Sequence, residues 1–246
     1  MLVEARYRAQ AQPAGLIDAL LRRGHRVSAI DPDDIAQDLA GAPWPDGLDL
    51  IVARGRSQSL FFMLKLAELR GARTVNSRAS IGAVHNKAEM AVAMATAGLP
   101  IPPSFVGAPA RLAREAPPHL YPLILKPLHG DNARGLHVVS HPNDWTDLAW
   151  PEPLVLAQRY LPSDGYDLKL YGIGDAVWAV RKLSPLSSPA IHGDRAEPIP
   201  ATDEMRAIAR RCRALFALDL YGVDCLETSA GLIVIEVNDF PNYSAV

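Results

Sequence analysis

The sequence changes its pattern near residue 80, and that change limits the folds open to it. Before it, short apolar runs alternate with helical stretches. LVEAR and HRVSAI flank a helix from about Pro13 to Arg23 closed by Gly24, and LDLIVARG precedes the helix SQSLFFMLKLAELRG, with Ser57 as its N-cap; RTVNS follows. Strands separated by helices pair in parallel, because a parallel connection needs a crossover rather than a hairpin. Residues 1–80 therefore predict a small Rossmann-like domain, its sheet covered on both faces. After it, NKAEMAVAMATAGLPIPPS gives a helix from Asn86 to about Ala97, which Gly98 and the prolines at 100, 102 and 103 end. Then YPLILKPLHGDNARGLHVV and PLVLAQRYLPSDGYDLKLYGIGDAVWAVRKL carry strands divided by Gly/Asp turns, the mark of antiparallel sheet.

The stretch from Ser184 to Thr202 has no period and reads as a mobile loop, with His192 and Asp194 inside it. TDEMRAIARRCRALFAL is an amphipathic helix with Thr202 as N-cap and two acids in its first turn. The whole predicts α/β and α+β architecture in three parts, 1–80, 81–160 and 161–246.

The chain closes on LYGVDCLETSAGLIVIEVNDFPNYSAV, a hairpin whose last strand mixes apolar residues with oxygen donors. Simple alternation puts Leu232, Val234, Glu236 and Asn238 on one face and Ile233, Ile235 and Val237 on the other. A three-residue loop, Ser229–Gly231, sets Asp224 opposite Glu236. Facing carboxylates repel unless a cation, an arginine or a shared proton neutralises them. Two carboxylates and an amide suit Mg²⁺, which takes oxygen ligands and keeps water and phosphate in its shell. The same spacing also fits solvated carboxylates at strand ends. Upstream, LILKPLHGDNARG puts Lys126 at the end of an apolar strand before Gly130 and Gly135, an arrangement that admits a phosphate but also fits an ordinary hairpin.

Five segments in this order, NKAEM with Lys87, Lys126-Pro127 with the loop to Gly135, LAQRYL, Asp224 and EVNDFP, resemble the ATP-grasp superfamily, in particular RimK-like carboxylate–amine ligases. The resemblance implies an ATP-grasp fold: an N-terminal Rossmann-like domain and two α+β subdomains clasping ATP. It implies that Lys87 and Lys126 hold the nucleotide phosphates under a loop from Gly130 to Gly135. It makes Gln158, Arg159, Tyr160 and Leu161 the hinge that reads adenine, and places Asp167 beside the nucleotide. Asp224, Glu236 and Asn238 would hold one or two Mg²⁺ ions, with Mn²⁺ as a substitute.

On DGYDLKLYGIGDAVWAVRK, alternation from Asp167 places Lys169 and Tyr171 on its face, and the return strand brings Arg181 and Lys182. Lys169, Arg181 and Lys182 would then bind an anionic acceptor and stabilise charge on the transferring phosphoryl group; a solvated basic face is the other reading. Arg54 and Arg56, just past an N-terminal strand, are further anion-binding candidates.

The resemblance implies an ATP-dependent ligase that activates a carboxylate as an acyl phosphate for attack by an amine. The segments DGYDLKLYGIGD and NDFPNYSAV are also similar to inositol tris/tetrakisphosphate kinases, which leaves a hydroxyl acceptor as the alternative. Ala133 and Asn242 stand where family members commonly carry glycine. The short tail after Asn238 suggests a second copy, in a homodimer, to enclose the small-molecule or peptide acceptor.

A net charge of −2 gives no pull toward nucleic acid, and no apolar run is long enough to span a membrane. Without a secretory pattern at its start, and with two cysteines, Cys212 and Cys225, expected as buried thiols, the chain is expected in the cytoplasm.

Overall fold

The computed structural model describes residues 1–39, 47–130, 134–146, 148–184, 186 and 196–243. Its first part runs β1 (Leu2–Val3), α1 (Ala5–Arg8), α2 (Ala11–Arg22), β2 (Ile51–Arg54), α3 (Gln58–Leu69) and β3 (Thr74–Val75). The three strands form a parallel sheet in the order β1-β2-β3. α3 starts where the Ser57 side chain accepts the Leu60 N–H. It packs Leu60, Met63, Leu64 and Ala67, one face at helical spacing, against Leu2, Ile51 and Ala53. HRVSAI does not become a full strand: only Ile30 bridges to Leu2. Most of that segment is exposed, so it buries too little apolar surface to hold a ladder.

Two helices follow, α4 (Arg78–His85) and α5 (Lys87–Thr96). α4 gave no signal in the sequence, being a short helix with a glycine inside it, capped by Ser77. Asn86 caps α5, its side-chain oxygen accepting the N–H groups of Ala88 and Glu89.

Next come β4 (Ser104–Gly107), α6 (Pro109–Glu115), β5 (Leu123–Lys126), β6 (His137–Val139) and β7 (Val155–Arg159). They build an antiparallel sheet in the order β4-β7-β5-β6. One face of this central sheet, with Leu123, Leu125, Val155 and Ala157, packs on Leu112 of α6 and on Trp145. Alternation sends Ile124, Lys126, Leu156 and Gln158 to the other face.

The last part holds β8 (Tyr166–Ile173), β9 (Ala176–Leu183), β10 (Ala196–Ile199), α7 (Asp203–Phe216), β11 (Leu220–Thr228) and β12 (Gly231–Asn238). The strands form an antiparallel sheet in the order β10-β9-β8-β11-β12. Ile208, Ala209, Cys212 and Phe216 of α7 pack beneath it together with Val84, Met90 and Met94, so α4 and α5 share this core. Cys212 and Cys225 are free and buried there.

Two expectations change here. Ala196–Ile199, read as part of a loop, is an edge strand on β9; an edge needs only backbone bonds and tolerates Pro198. The other nine residues from 187 to 195, His192 and Asp194 among them, lie outside the described residues, as does Ala133.

The hairpin also turns more tightly than expected. Thr228 pairs with Gly231, so the loop is Ser229-Ala230, and the register shifts beyond Cys225 and Val234. Ile235 has no opposite partner, a β-bulge that reverses the alternation. Leu232, Val234 and Val237 are therefore the core residues, and Leu232 and Val234 do not share a face with Glu236. Asp224 still faces Glu236, because the bulge replaces the residue removed from the turn.

The N-terminal sheet is fastened to this hairpin by one buried side chain. Asn76 donates to the carbonyls of Leu220 and Asp239 at 2.7 and 2.6 Å. Its oxygen accepts the N–H groups of Asp219 and Leu220 at 2.7 and 3.1 Å, which completes the side chain's bonding capacity.

Candidate active site

Register alone builds one transverse row on the C-terminal sheet: Lys169 of β8 opposite Asp224 of β11, and Asp224 opposite Glu236 of β12. The next row reads Tyr171, Gly222 and Asn238, and on the other side Asp167 lies beside Lys182 of β9. Gly222 leaves room for the turn after β12, since a Cβ there would come within 2.7 Å of Pro241.

One lysine of the row sits between two carboxylates. Lys169 Nζ lies 2.9 Å from Asp224 Oδ2 and 3.3 Å from Asp167 Oδ2. Burial works against its charge, but Asp224 and Asp167 outweigh burial and raise its pKa. Asp224 sits above its ordinary range because burial and Glu236 exceed the help from Lys169.

Lys87, at the start of α5, reaches across to the same row. Its Nζ is 2.6 Å from Glu236 Oε1 and 3.0 Å from the Gly130 carbonyl. Burial pushes the Glu236 carboxyl up, yet Lys87 and then Lys126 bring it below its ordinary value. Lys126 ends β5, and burial pushes its pKa down to about 8 despite Glu236. Two lysines from different elements thus converge on the carboxylate end of the row.

On the central sheet, Gln158 is buried on the face it shares with Lys126, donating to Ser104 Oγ at 2.9 Å. Its Oε1 has no partner among the described residues. The N–H groups of Arg159 and Tyr160 are already bonded to the carbonyls of Pro103 and Pro122. Leu161 is the first hinge position with no such bond among the described residues, and it borders a hollow with Pro162, Ser163 and Asp164. Gly130 and Gly135 both take positive φ, +145° and +73°, backbone conformations that favour glycine.

The expected basic cluster divides. Lys169 and Lys182 share the site face with Asp167, while Arg181, adjacent to Lys182, points to the opposite face. There Arg181 pairs with Asp164 and lies over the Tyr166 ring at 3.9 Å.

Residues not singled out in the sequence complete the surroundings. Asp239, straight after Asn238, is buried with Arg56 NH2 3.7 Å away. Glu4, also buried, accepts the backbone N–H groups of Arg56 and Ser57, the latter at 2.6 Å. His85 stands between the Phe61 and His129 rings. A buried acid beside a known site strand was the one available signal, and it would have picked out Asp239 alone.

The donor set fits Mg²⁺. Asp224 and Glu236 remain 26% and 22% exposed, enough to meet a ligand in the cleft. Among the described residues no group of three or more His, Cys, Asp or Glu forms a protein cage. Mg²⁺ binds through one or two carboxylates and completes its shell with water and nucleotide phosphate, and Asp224 facing Glu236 offers two. No helix among the described residues is long and apolar enough to cross a membrane.

Comparison with known proteins agrees with this geometry. A probable alpha-L-glutamate ligase of Haemophilus influenzae (strain PittEE) is 25% identical over 261 residues, covering 94% of this chain and 87% of its own. The RimK domain protein ATP-grasp of Sphaerobacter thermophilus superposes with a TM-score of 0.77 at 21% identity, over 99% of this chain and 92% of the other. The ATP-grasp ligase PsnB, complexed with minimal precursor, Mg and ADP, gives 0.72 at 19% identity, over 99% and 89%. The family model of the RimK-like ATP-grasp domain matches residues 85–246, and the chain belongs to that family.

Proposed function

We propose that this chain is an ATP- and Mg²⁺-dependent ligase that activates a carboxylate as an acyl phosphate for attack by an amine. The observation that carries this reading is the Lys169–Asp224–Glu236 row, with Lys87 and Lys126 converging on its carboxylate end. Lys87 and Lys126 hold the nucleotide phosphates, and the loop from Gly130 to Gly135 covers them. Gln158 to Leu161 receive adenine, with the unpartnered Gln158 Oε1 placed to accept from its amino group. Asp167 lies at the ribose-phosphate side of the row. Asp224, Glu236 and Asn238 hold Mg²⁺, which supplies charge neutralisation as the phosphoryl group transfers.

Lys169 and Lys182 stabilise the anionic acceptor and the moving phosphoryl group, work that is positional and electrostatic. In the reaction a carboxylate oxygen bonds to the γ-phosphorus as ADP leaves with the bridging oxygen. An amine nitrogen then bonds to the acyl carbon and gives up a proton to solvent, the C–O bond breaks, and phosphate departs. In this division residues 1–80 frame the acceptor, 81–160 clasp the nucleotide, and 161–246 carry the metal. The acceptor is a small molecule or peptide bearing a carboxylate.

Phosphorus NMR with Mg-ATP and a pool of amino acids and short peptides tests the reading. ADP and free phosphate must appear only when an acid and an amine are both present. A new phosphoester without free phosphate would establish a kinase instead.

A further inference from the structure

Beyond the Lys169–Asp224–Glu236 row, two more buried polar atoms, on Arg56 and His85, have no partner among the described residues. Arg56 lies just past the carboxyl end of β2, where ligands gather in open α/β sheets. Its side chain is only 10% exposed, and its Nε has no partner among the described residues. The Asp239 carboxylate is 3.7 Å from NH2, too long for a hydrogen bond. A guanidinium carries five N–H donors, and a buried one left this incompletely bonded is costly unless a ligand completes it. Glu4 does not satisfy it: that carboxylate takes the backbone N–H groups of Arg56 and Ser57, which fixes the loop and leaves the fork available. Gly55 is needed for this, because a side chain there would collide with Glu4.

The second group is His85 at the end of α4, whose Nδ1 is buried and also unpartnered. Burial, and then Arg56, His129 and Lys87, push its pKa down to about 4, so at neutral pH it is an uncharged ring offering one N–H. Arg56 lies beside Asp239, which follows Asn238, and His85 precedes Lys87 by two residues, so both are next to elements that build the row.

We infer that Arg56, assisted by His85, seats the carboxylate of the acid that is to be activated, holding it beside the γ-phosphate. This rests on the ligase reading above. The Arg56 fork matches a carboxylate's two oxygens, and the same contacts follow it into the acyl phosphate. Asp239, buried behind the guanidinium, orients it without consuming its donors.

The test compares the wild type with the double variant Arg56→Met/Asp239→Asn, which removes both charges so that neither is left buried alone. Mg-ATP affinity is measured by calorimetry, and acid activation by trapping with hydroxylamine over a pool of the common amino acids and glutamyl peptides. The seat predicts Mg-ATP affinity within about twofold of wild type, with KM for the trapped acid raised at least about tenfold. His85→Phe, which keeps a ring against Phe61, raises the same KM severalfold, and Arg56→Lys restores part of the loss. An unchanged KM, or a wild type that binds Mg-ATP yet activates no acid of the pool, overturns the seat. A wild type that fails to bind Mg-ATP overturns the ligase reading, and the seat with it.

Discussion

Replacing Lys126 by methionine should strengthen the fold while removing its affinity for nucleotide. Lys126 is 6% exposed, and its pKa falls from about 10.5 to about 8 because burial disfavours the ammonium. Each pH unit of that gap corresponds to about 1.4 kcal/mol, so the buried charge costs the protein about 3 kcal/mol at pH 7. The sign follows from proton binding. Between pH 8 and 10.5 the unfolded chain holds a proton that the folded chain has released, so stability rises with pH through that window. Below pH 8 both forms are charged and the full cost remains.

Methionine fills similar space without the charge. Glu236 keeps its bond to Lys87, so the variant leaves no carboxylate unpaired. Urea unfolding at pH 7 should show a gain of about 2–3 kcal/mol, shrinking as the pH approaches 10. Mg-ATP at 100 times its Kd should stabilise the wild type by about 2.7 kcal/mol and the variant by nothing measurable. A variant less stable than wild type at pH 7, or one that Mg-ATP protects equally, refutes the reasoning.

Three further outcomes follow from the geometry. Glu236→Gln should keep the fold and lower Mg-dependent turnover by on the order of a hundredfold, read from ADP release. Lys182→Ala should raise the acceptor KM, whereas Arg181→Ala should leave acceptor kinetics unchanged and, its ion pair being exposed, stability nearly so; the reverse pattern would place the active face on the wrong side of β9. Val234→Ala should cost about 2 kcal/mol in denaturant melts and Ile233→Ala less than about 1, since only Val234 belongs to the core; equal losses would contradict the bulge.

The elements with strong local chemistry were legible in the sequence. Ser57, Asn86 and Thr202 cap helices because their short side chains meet free N–H groups, and that requires no tertiary information. The Asp224–Glu236 pairing was also anticipated, though by a different route, since a shorter turn and a bulge at Ile235 cancel in register. What alternation could not show was the bulge itself, because nothing in LIVIEV marks which residue goes unpaired. β10 was hidden for a related reason: an edge strand is held by backbone bonds, and Pro198 argues locally against it. Arg181 and Lys182 looked alike as adjacent cations, and only the parity of their strand separates them. Glu4 was hidden most fully, since the N–H groups it accepts lie more than 50 residues away.

The Asn76 linkage decides which part of the molecule is free to move. It bonds the end of the N-terminal sheet to the start of β11 and to the residue that follows β12, and α4 and α5 lie in the same core as that hairpin. These parts travel together, because interfaces that are fully bonded and closely packed do not slide. The central sheet is different: its core is its own, built with α6 and Trp145. On the function proposed above, opening and closing over a nucleotide would fall to the central sheet, swinging on the segments around Pro103 and Leu161. On the same reading, Lys126 would ride on the moving part and Glu236 on the fixed one, so each closure would bring that ammonium to the metal ligands and each opening would release the product between them.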